Sequence, residues 1–535
     1  GTAAIISDGT IIGDIRLDAG DDRLLLRDGS FEGGIYGGNG NNLVEISAAV
    51  TYTGSRILDG GEGDNDRLTL RGQTVSNTTD TFLNWEHVAL QQGAQLNLSG
   101  VGTLDTALNI DNRSEFRAFG QQNGTRTEMI LARDVTNEGR AVFSVQDGDA
   151  GDVIRVEGNY TGSGTSLFAL DARMDGTDTD MLHFTGDVSG DMEVLIASVG
   201  NAGATGGPLE IYVVSVDGEA DDATFTLMDG NYVMSDGEHG MISGAYVYRL
   251  AEVEAQDGSN WWALSARSES GEISWGPSLP TYDSYGQALL ALNGVSSLRN
   301  RGRSQDFRSL AWDGGTGDQN NGSPLWVQMG VEQASLSEEH STTGAALDSS
   351  LWEMEIGGDI VLSESGAGLL VGGLVFSYGT GSTDVSSDFG GGSIDTSGLS
   401  LGVTATWYDA RRFYVDGQFT FASYSSDLDA DRIGSLTEGN GGTGYALSIE
   451  AGQQLDLGSR LTVIPQAQLS FSSVAFDDFT SEAVAAERVT FEDASSQQLR
   501  LGLEFGPQEQ GASGVYGIVN LYHEFGAGSE VTVAG

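Results

Sequence analysis

The sequence predicts an all-β chain in two styles joined by one helix: a solenoid of short stacked strands, then long antiparallel strands with two faces. Three observations carry this. Turn-then-strand phrases recur at a period near 20 residues at the start of the chain. Strands of nine or more residues alternate apolar and polar side chains over its last two-fifths. Between them lies one stretch with a 3.6-residue apolar rhythm. Composition agrees, since 535 residues hold 79 glycines, 6 prolines and no cysteine, which leaves no disulfide framework and no thiolate site.

Solenoid rungs are expected over residues 1–150. LDAGDDRLLL (Leu17–Leu26), YGGNGNNLVEI (Tyr36–Ile46) and LDGGEGDNDRLTL (Leu58–Leu70) repeat one phrase, and their strand cores Leu24, Val44 and Leu68 lie 20 and 24 residues apart. Inward Leu, Ile and Val would build a continuous core, with Asn, Asp and Gly at corners that want φ > 0. The corners Gly37–Asn42 and Gly60–Asp66 resemble calcium-binding nonapeptide repeats. They are not tandem, and in the first Asn stands where a ligand Asp is needed, so structural turns are the expectation.

Residues 151–270 form a denser β module, in which Tyr212–Val216 and Ala245–Leu250 alternate as strands. No catalytic, metal or cofactor constellation is found along the chain. The histidines His87, His183, His239, His340 and His523 are scattered, with no HExxH, no P-loop and no Gly-x-Ser-x-Gly in a strand–helix setting. A net charge of −52 and a pI near 4.1 argue against a nucleic-acid partner, since phosphate contacts need a basic face.

The linker, residues 271–310, carries the helix, predicted from Pro280 to Leu310. Tyr285, Ala288, Leu289, Leu292 and Val295 keep the helical spacing. Pro280 with Thr281 or Asp283 marks a start and Gly302 a stop. Arg299, Arg301, Arg303 and Arg308 crowd its C-terminal end and ask for an acidic partner.

Residues 311–535 predict a barrel. Leu399, Leu401, Val403, Ala405 and Trp407 share one face, and Ser400, Gly402, Thr404 and Thr406 the other. Phe413, Val415, Phe419 and Phe421 oppose Tyr414, Asp416, Gln418 and Thr420. Such strands suit a membrane barrel, lipid-facing outside and polar inside, and lipid demands that the sheet close. Strands are expected near 324–334, 350–363, 367–379, 396–408, 411–424, 443–456, 459–473, 496–506 and 513–525, with a tenth from Ser529. Trp352, Tyr378, Trp407, Tyr408 and Tyr424 suit interfacial girdles. Candidate lumen acids are Glu332, Glu353, Glu355, Asp359, Asp416, Glu450, Glu504 and Glu524, which would receive the linker arginines. No run of about 18 apolar residues predicts a membrane helix.

From residue 150 onward the chain resembles the classical (type V) autotransporters with pertactin-like passengers. Gly158-Asn159-Tyr160-Thr161-Gly162, Thr177–Leu182, Gly186–Gly190, Gly244–Leu250 and Asn260–Leu264 follow in that family's order, then one helix and a barrel-like tail. The resemblance implies a right-handed parallel β-helix followed by an antiparallel outer-membrane β-barrel with one linker helix in its lumen. Residues 151–270 would be an autochaperone-like cap that folds first outside the cell, its Tyr160, Tyr246, Tyr248, Trp261 and Trp262 closing the solenoid's open end. It implies outer-membrane lipid and the barrel-assembly machinery as partners. The family uses twelve strands and ends in an aromatic residue. This sequence opens on GTAAIISDGT without a visible signal peptide and ends at Gly535, so two or three further strands and an upstream portion are expected.

The expected function is export and display of the chain's own β-helical passenger at the cell surface, or release outside. Alternatives are a surface adhesin or structural passenger with the barrel as anchor, an enzyme whose catalytic part lies upstream of residue 1, and a simple porin-like channel. A host or surface ligand for the passenger stays open. So does self-cleavage at Asn293-Gly294 or Asn300-Arg301.

Overall fold

A computed structural model describes residues 1–53, 56–119, 126–199, 207–254, 259–301, 303–312, 324–337, 341–457, 461–507, 516–526 and 529–534. The chain forms two compact units, Gly1–Ser274 and Trp275–Gly535.

The first unit is a parallel β-solenoid. The inward column runs Leu24, Val44, Leu68, Val88, Leu108, Val135, Tyr160 and Val188, each paired in parallel register with the next coil. All eight are buried. The coils stack through three such columns of strands, so one continuous core serves the whole unit. Along the axis the core turns aromatic. Phe168 touches Phe143, Tyr160, Phe184 and Phe225 at centroid distances of 5.1 to 5.9 Å, and Phe225 meets Trp262 at 4.4 Å.

Corners are closed by side-chain ladders. The backbone N–H of Ala3 donates to Asp22, that of Asp22 to Asn42, that of Asn42 to Asp66 and that of Asp66 to Glu86. Each carboxylate or amide satisfies a backbone donor one coil away, where the strand ladder has stopped. Asn42 and Asp66, the residues of the calcium-like phrases, are thus used as rung-to-rung acceptors. Burial pushes the Asp66 carboxyl up to about 6.

Parallel stacking ends where Glu210–Val216 pairs with Asn260–Ser265 in the antiparallel sense, followed by Tyr246–Glu254 and His239–Ser243. Tyr248 is buried there and donates to the Pro208 carbonyl at 2.9 Å, and Trp262 faces the core. Tyr246 is partly buried and packs against that core. Trp261 stacks edgewise on exposed Tyr212 outside the core at 5.2 Å. Tyr160 departs from the expected capping role. It is an inner rung residue, sandwiched between Val135 and Val188, because its column lies within the parallel stack.

The second unit opens with two helices, α1 (Leu279–Leu292) and α2 (Ser304–Trp312), separated by a single turn at Leu298–Asn300. The one-helix expectation therefore fails at Asn293. Val295 lies beyond the break, and Gly302 lies outside the described residues. Ser278 precedes the helix, and Pro280 sits in its first turn, where a missing N–H costs nothing. Asp283 does not cap the helix, because its carboxylate accepts from the hydroxyls of Ser341 at 2.6 Å and Thr343 at 3.0 Å.

Among the described residues nine long strands follow in an antiparallel meander: β1 (Leu325–Ser337), β2 (Ala346–Ser365), β3 (Gly368–Ser387), β4 (Gly390–Asp409), β5 (Phe413–Ala430), β6 (Gly434–Gln453), β7 (Leu461–Phe476), β8 (Ala494–Pro507) and β9 (Gly517–Glu524). Among the described residues β1 and β9 pair with their inner neighbours only. The expected tenth strand is not a barrel strand. Val531–Ala534 pairs with Arg488–Phe491 in a separate three-stranded sheet, where Val489 and Val533 are buried together.

The strands also run longer than expected, up to 20 residues, and their two faces change character along the way. On β4, outward Leu399, Leu401 and Val403 are exposed while Thr404 and Thr406 are buried; nearer its start Ile394 is buried and Asp395 exposed. On β5, Phe419 and Phe421 face out, but beyond them Leu428 is buried and Asp427 exposed. On β3, Leu374 and Phe376 give way to buried Val385 and exposed Asp384. The outward apolar windows, 399–407 and 413–421, are about nine residues long. At roughly 3.4 Å per residue and a barrel-like tilt this matches a lipid band about 25 Å tall. Past that band the same sheet becomes a water-facing collar with an apolar lining, and α1 supplies its core. Leu292 approaches Gly379 and Gly381, Leu289 approaches Gly442, and the Tyr285 ring meets that of Phe476, tilted by 50°, at 4.8 Å.

Candidate functional site: the barrel lumen and its linker

Inward residues of the barrel wall meet the linker through charge. Arg301 donates to Asp416 at 2.9 Å and to the Thr406 hydroxyl at 2.5 Å, with all three side chains buried. Arg299 and Arg308 both reach Glu504, at 3.5 and 3.3 Å, and Gln466 donates to the second oxygen of Glu504 at 3.0 Å. Arg299 also lies 4.0 Å over the Tyr516 ring. Arg303, just before α2, pairs with Asp306 in that helix's first turn at 3.3 Å.

Glu450 carries the backbone of the linker. It accepts the Leu298 N–H at 3.1 Å and the Tyr414 hydroxyl at 2.6 Å, and pairs with Arg500 at 2.8 Å. Arg500 is held in turn by Gln468 at 2.8 Å and Asn520 at 3.0 Å. A charge so far from water persists only when its hydrogen bonds are made in place. Asp359 accepts the indole N–H of Trp326 at 2.8 Å.

Glu353 and Glu355 line a polar chamber of about 40 Å³ beside Arg301, together with Ser377, Ser400 and Gln418. Glu332 is exposed and faces a larger space bounded by β1, β2, β8 and β9. Glu524 stands at the end of β9, accepting from the Ser496 hydroxyl at 2.6 Å and the Gln497 N–H at 2.7 Å.

Two of the expected girdle aromatics point inward instead. Tyr408 donates to the Ser304 carbonyl at 3.2 Å and Tyr424 to the Asn293 side chain at 3.0 Å, both buried. Their even positions put them on the lumen side of β4 and β5, where a phenol finds polar linker groups. Sequence reasoning named neither Arg500 nor Asn293 as part of the lumen network. Arg500 belongs to the polar set of β8, which was the only local signal. A further contact is non-local altogether: buried Glu487, far along the chain, accepts the hydroxyls of Ser278 at 3.3 Å and Tyr282 at 3.1 Å.

A sheet with a lipid-facing band, an ion-paired linker inside it and a solenoid on the same chain define an outer-membrane-type barrel protein that carries a β-solenoid. The autotransporter beta-domain family matches residues 325–535, and the autochaperone domain type 1 family matches residues 131–250. The chain belongs to the autotransporters, with the family's beta-domain over residues 325–535 and its autochaperone domain over residues 131–250. It is 31% identical to the adhesin BmaC autotransporter of Brucella suis over 96% of its length, and 26% identical to the probable autotransporter YfaL of Escherichia coli over 85%. It spans 16% and 36% of those two proteins. Among solved structures it is similar to the transport unit of the autotransporter AIDA-I from Escherichia coli (14% identity, 48% of this chain and 84% of that one, TM-score 0.39). It is also similar to the beta domain of the Bordetella autotransporter BrkA (20% identity, 40% and 83%, TM-score 0.32).

Proposed function

We propose that the linker is seated through the lumen by its arginines, and that the barrel so filled holds the solenoid at the surface as an adhesive passenger. One observation carries the reading: Arg299, Arg301 and Arg308 of the linker are bonded to Glu504 and Asp416 on the inner wall of the barrel. Glu353, Glu355 and Asp359 add negative field on the same wall, which favours retention of a cationic segment. The host's barrel-assembly machinery inserts the sheet. Residues 151–270 act as the autochaperone-like end, folding first and giving the remaining coils an edge to stack on. No catalytic step is assigned to the chain. Adhesion follows the name of the Brucella relative and the continuous solenoid surface of residues 1–150. Deleting residues 151–268 should leave the passenger stalled or degraded; unchanged surface display would sink the folding role. Deleting residues 1–150 should abolish attachment of displaying cells while leaving the barrel's heat-modifiable migration intact, and undiminished attachment would refute the adhesive role.

A further inference from the structure

Asn293-Gly294 is a step prone to asparagine chemistry, since glycine places no Cβ in the way of cyclisation. Two routes exist. In one, Nδ2 of Asn293 attacks its own carbonyl carbon; the new N–C bond forms, the peptide bond to Gly294 breaks, and a proton passes to the leaving Gly294 amine. That route would sever passenger from barrel. In the other, the Gly294 nitrogen attacks Cγ, ammonia leaves, and the chain stays whole with a succinimide in it.

The structure opposes both. Asn293 ends α1 with φ −91° and ψ 25°, and its N–H is bonded to the Leu289 and Leu290 carbonyls. That ψ turns the Gly294 nitrogen away from Cγ, so no near-attack geometry is populated. Its Nδ2 donates to the carbonyls of Tyr445 and Ser473, 3.1 Å each, on adjacent strands β6 and β7. Both amide hydrogens are thus committed to the wall, and Oδ1 accepts the Tyr424 hydroxyl at 3.0 Å. The wall is cut to receive this group: a Cβ at Gly444 would stand 2.6 Å from Oδ1 and 3.1 Å from Nδ2.

We propose that Asn293 is a catch, held by Tyr424, Tyr445, Ser473 and the Gly444 notch, that ties the linker to the barrel and keeps its own peptide bond intact. The linker is therefore not cut at this step. This rests on the reading that the linker lies in the lumen, and the two fail differently. Heat-modifiable migration of the full chain in outer membranes reports the folded barrel; its absence removes the ground of both. With the barrel folded, the chain is incubated at pH 9 and 37 °C, and cleavage and isoaspartate at Asn293 are read by peptide mass mapping, folded against heat-unfolded. The expected result is one full-length band, and conversion at least tenfold slower in the folded chain. Y424F and G444A, checked for heat-modifiable migration, should raise the folded rate towards the unfolded one. A fragment ending at Asn293, or equal rates folded and unfolded in the unsubstituted chain, overturns the proposal.

Discussion

Arg301 and Asp416 meet at 2.9 Å inside the barrel with side-chain exposures of 6% and 1%. Asp416 is all but sealed from solvent, and Arg301 borders only the small polar chamber beside it. Removing one partner leaves the other buried and unpaired, at a cost of about 3–5 kcal/mol, whereas replacing both with apolar groups of similar size is close to neutral. R301A or D416A should therefore lower the temperature at which the folded barrel band converts to the unfolded one. The double substitution R301M/D416L should recover most of the loss. Additive losses would show that the two residues act separately.

Phe168 sits at the crossing of the solenoid's aromatic column, fully buried and touching four rings. Truncation to alanine removes those contacts and leaves a cavity that stacked coils cannot close without shifting register. F168A should cost about 3–5 kcal/mol. Faster backbone hydrogen exchange in the neighbouring coils of the full chain, with barrel strands unaffected, is the expected signature.

Asp180 gives the solenoid a pH dependence. Burial pushes its carboxyl up to about 8 even though three backbone N–H groups, of Gly151, Asp152 and Asp171, donate to it. Its unfolded value is about 4. A raised pKa means that the folded state holds the proton more tightly. The associated stability is fully present below about pH 4, is lost as pH rises towards 8, and then levels off. Asp66, raised to about 6, acts in the same direction. Hydrogen exchange corrected for intrinsic rate should show residues 151–198 better protected at pH 5 than at pH 8. D180N gives up one acceptor to Asp171 and should be less stable at pH 5, yet its slope with pH should flatten.

The period-two alternation made the barrel legible, because a strand between lipid and lumen sorts its side chains by position alone. The same local signal placed Asp416, Glu450 and Glu504 inward. It could not say which arginine each would meet, since those pairs join residues 50, 115 and 196 positions apart. Four clustered arginines look equivalent in sequence, and only the fold shows that Arg299 and Arg308 bond Glu504, that Arg301 bonds Asp416 and that Arg303 pairs with Asp306. The break at Asn293 was concealed by apolar spacing that continued to Val295. Tyr408 and Tyr424 lie near strand ends, as girdle residues do, although their parity assigns them to the inner face.

The change of face along β4 and β5 fixes where lipid should end. Leu401 faces outward within the apolar band, 60% exposed, whereas Ser423 and Ser425 face outward beyond it. An arginine at a lipid-facing position near the midplane costs about 2–4 kcal/mol, falling to about 0–1 near the interface. L401R should therefore reduce the amount of heat-modifiable barrel recovered from outer membranes. S425R, on the same outward face but past the change, should leave it unaltered and should be reachable by a soluble arginine-directed reagent on intact cells. Equal loss from both substitutions would mean that the lipid band covers the whole strand. It would then also follow that α1 packs inside the membrane rather than inside a collar above it.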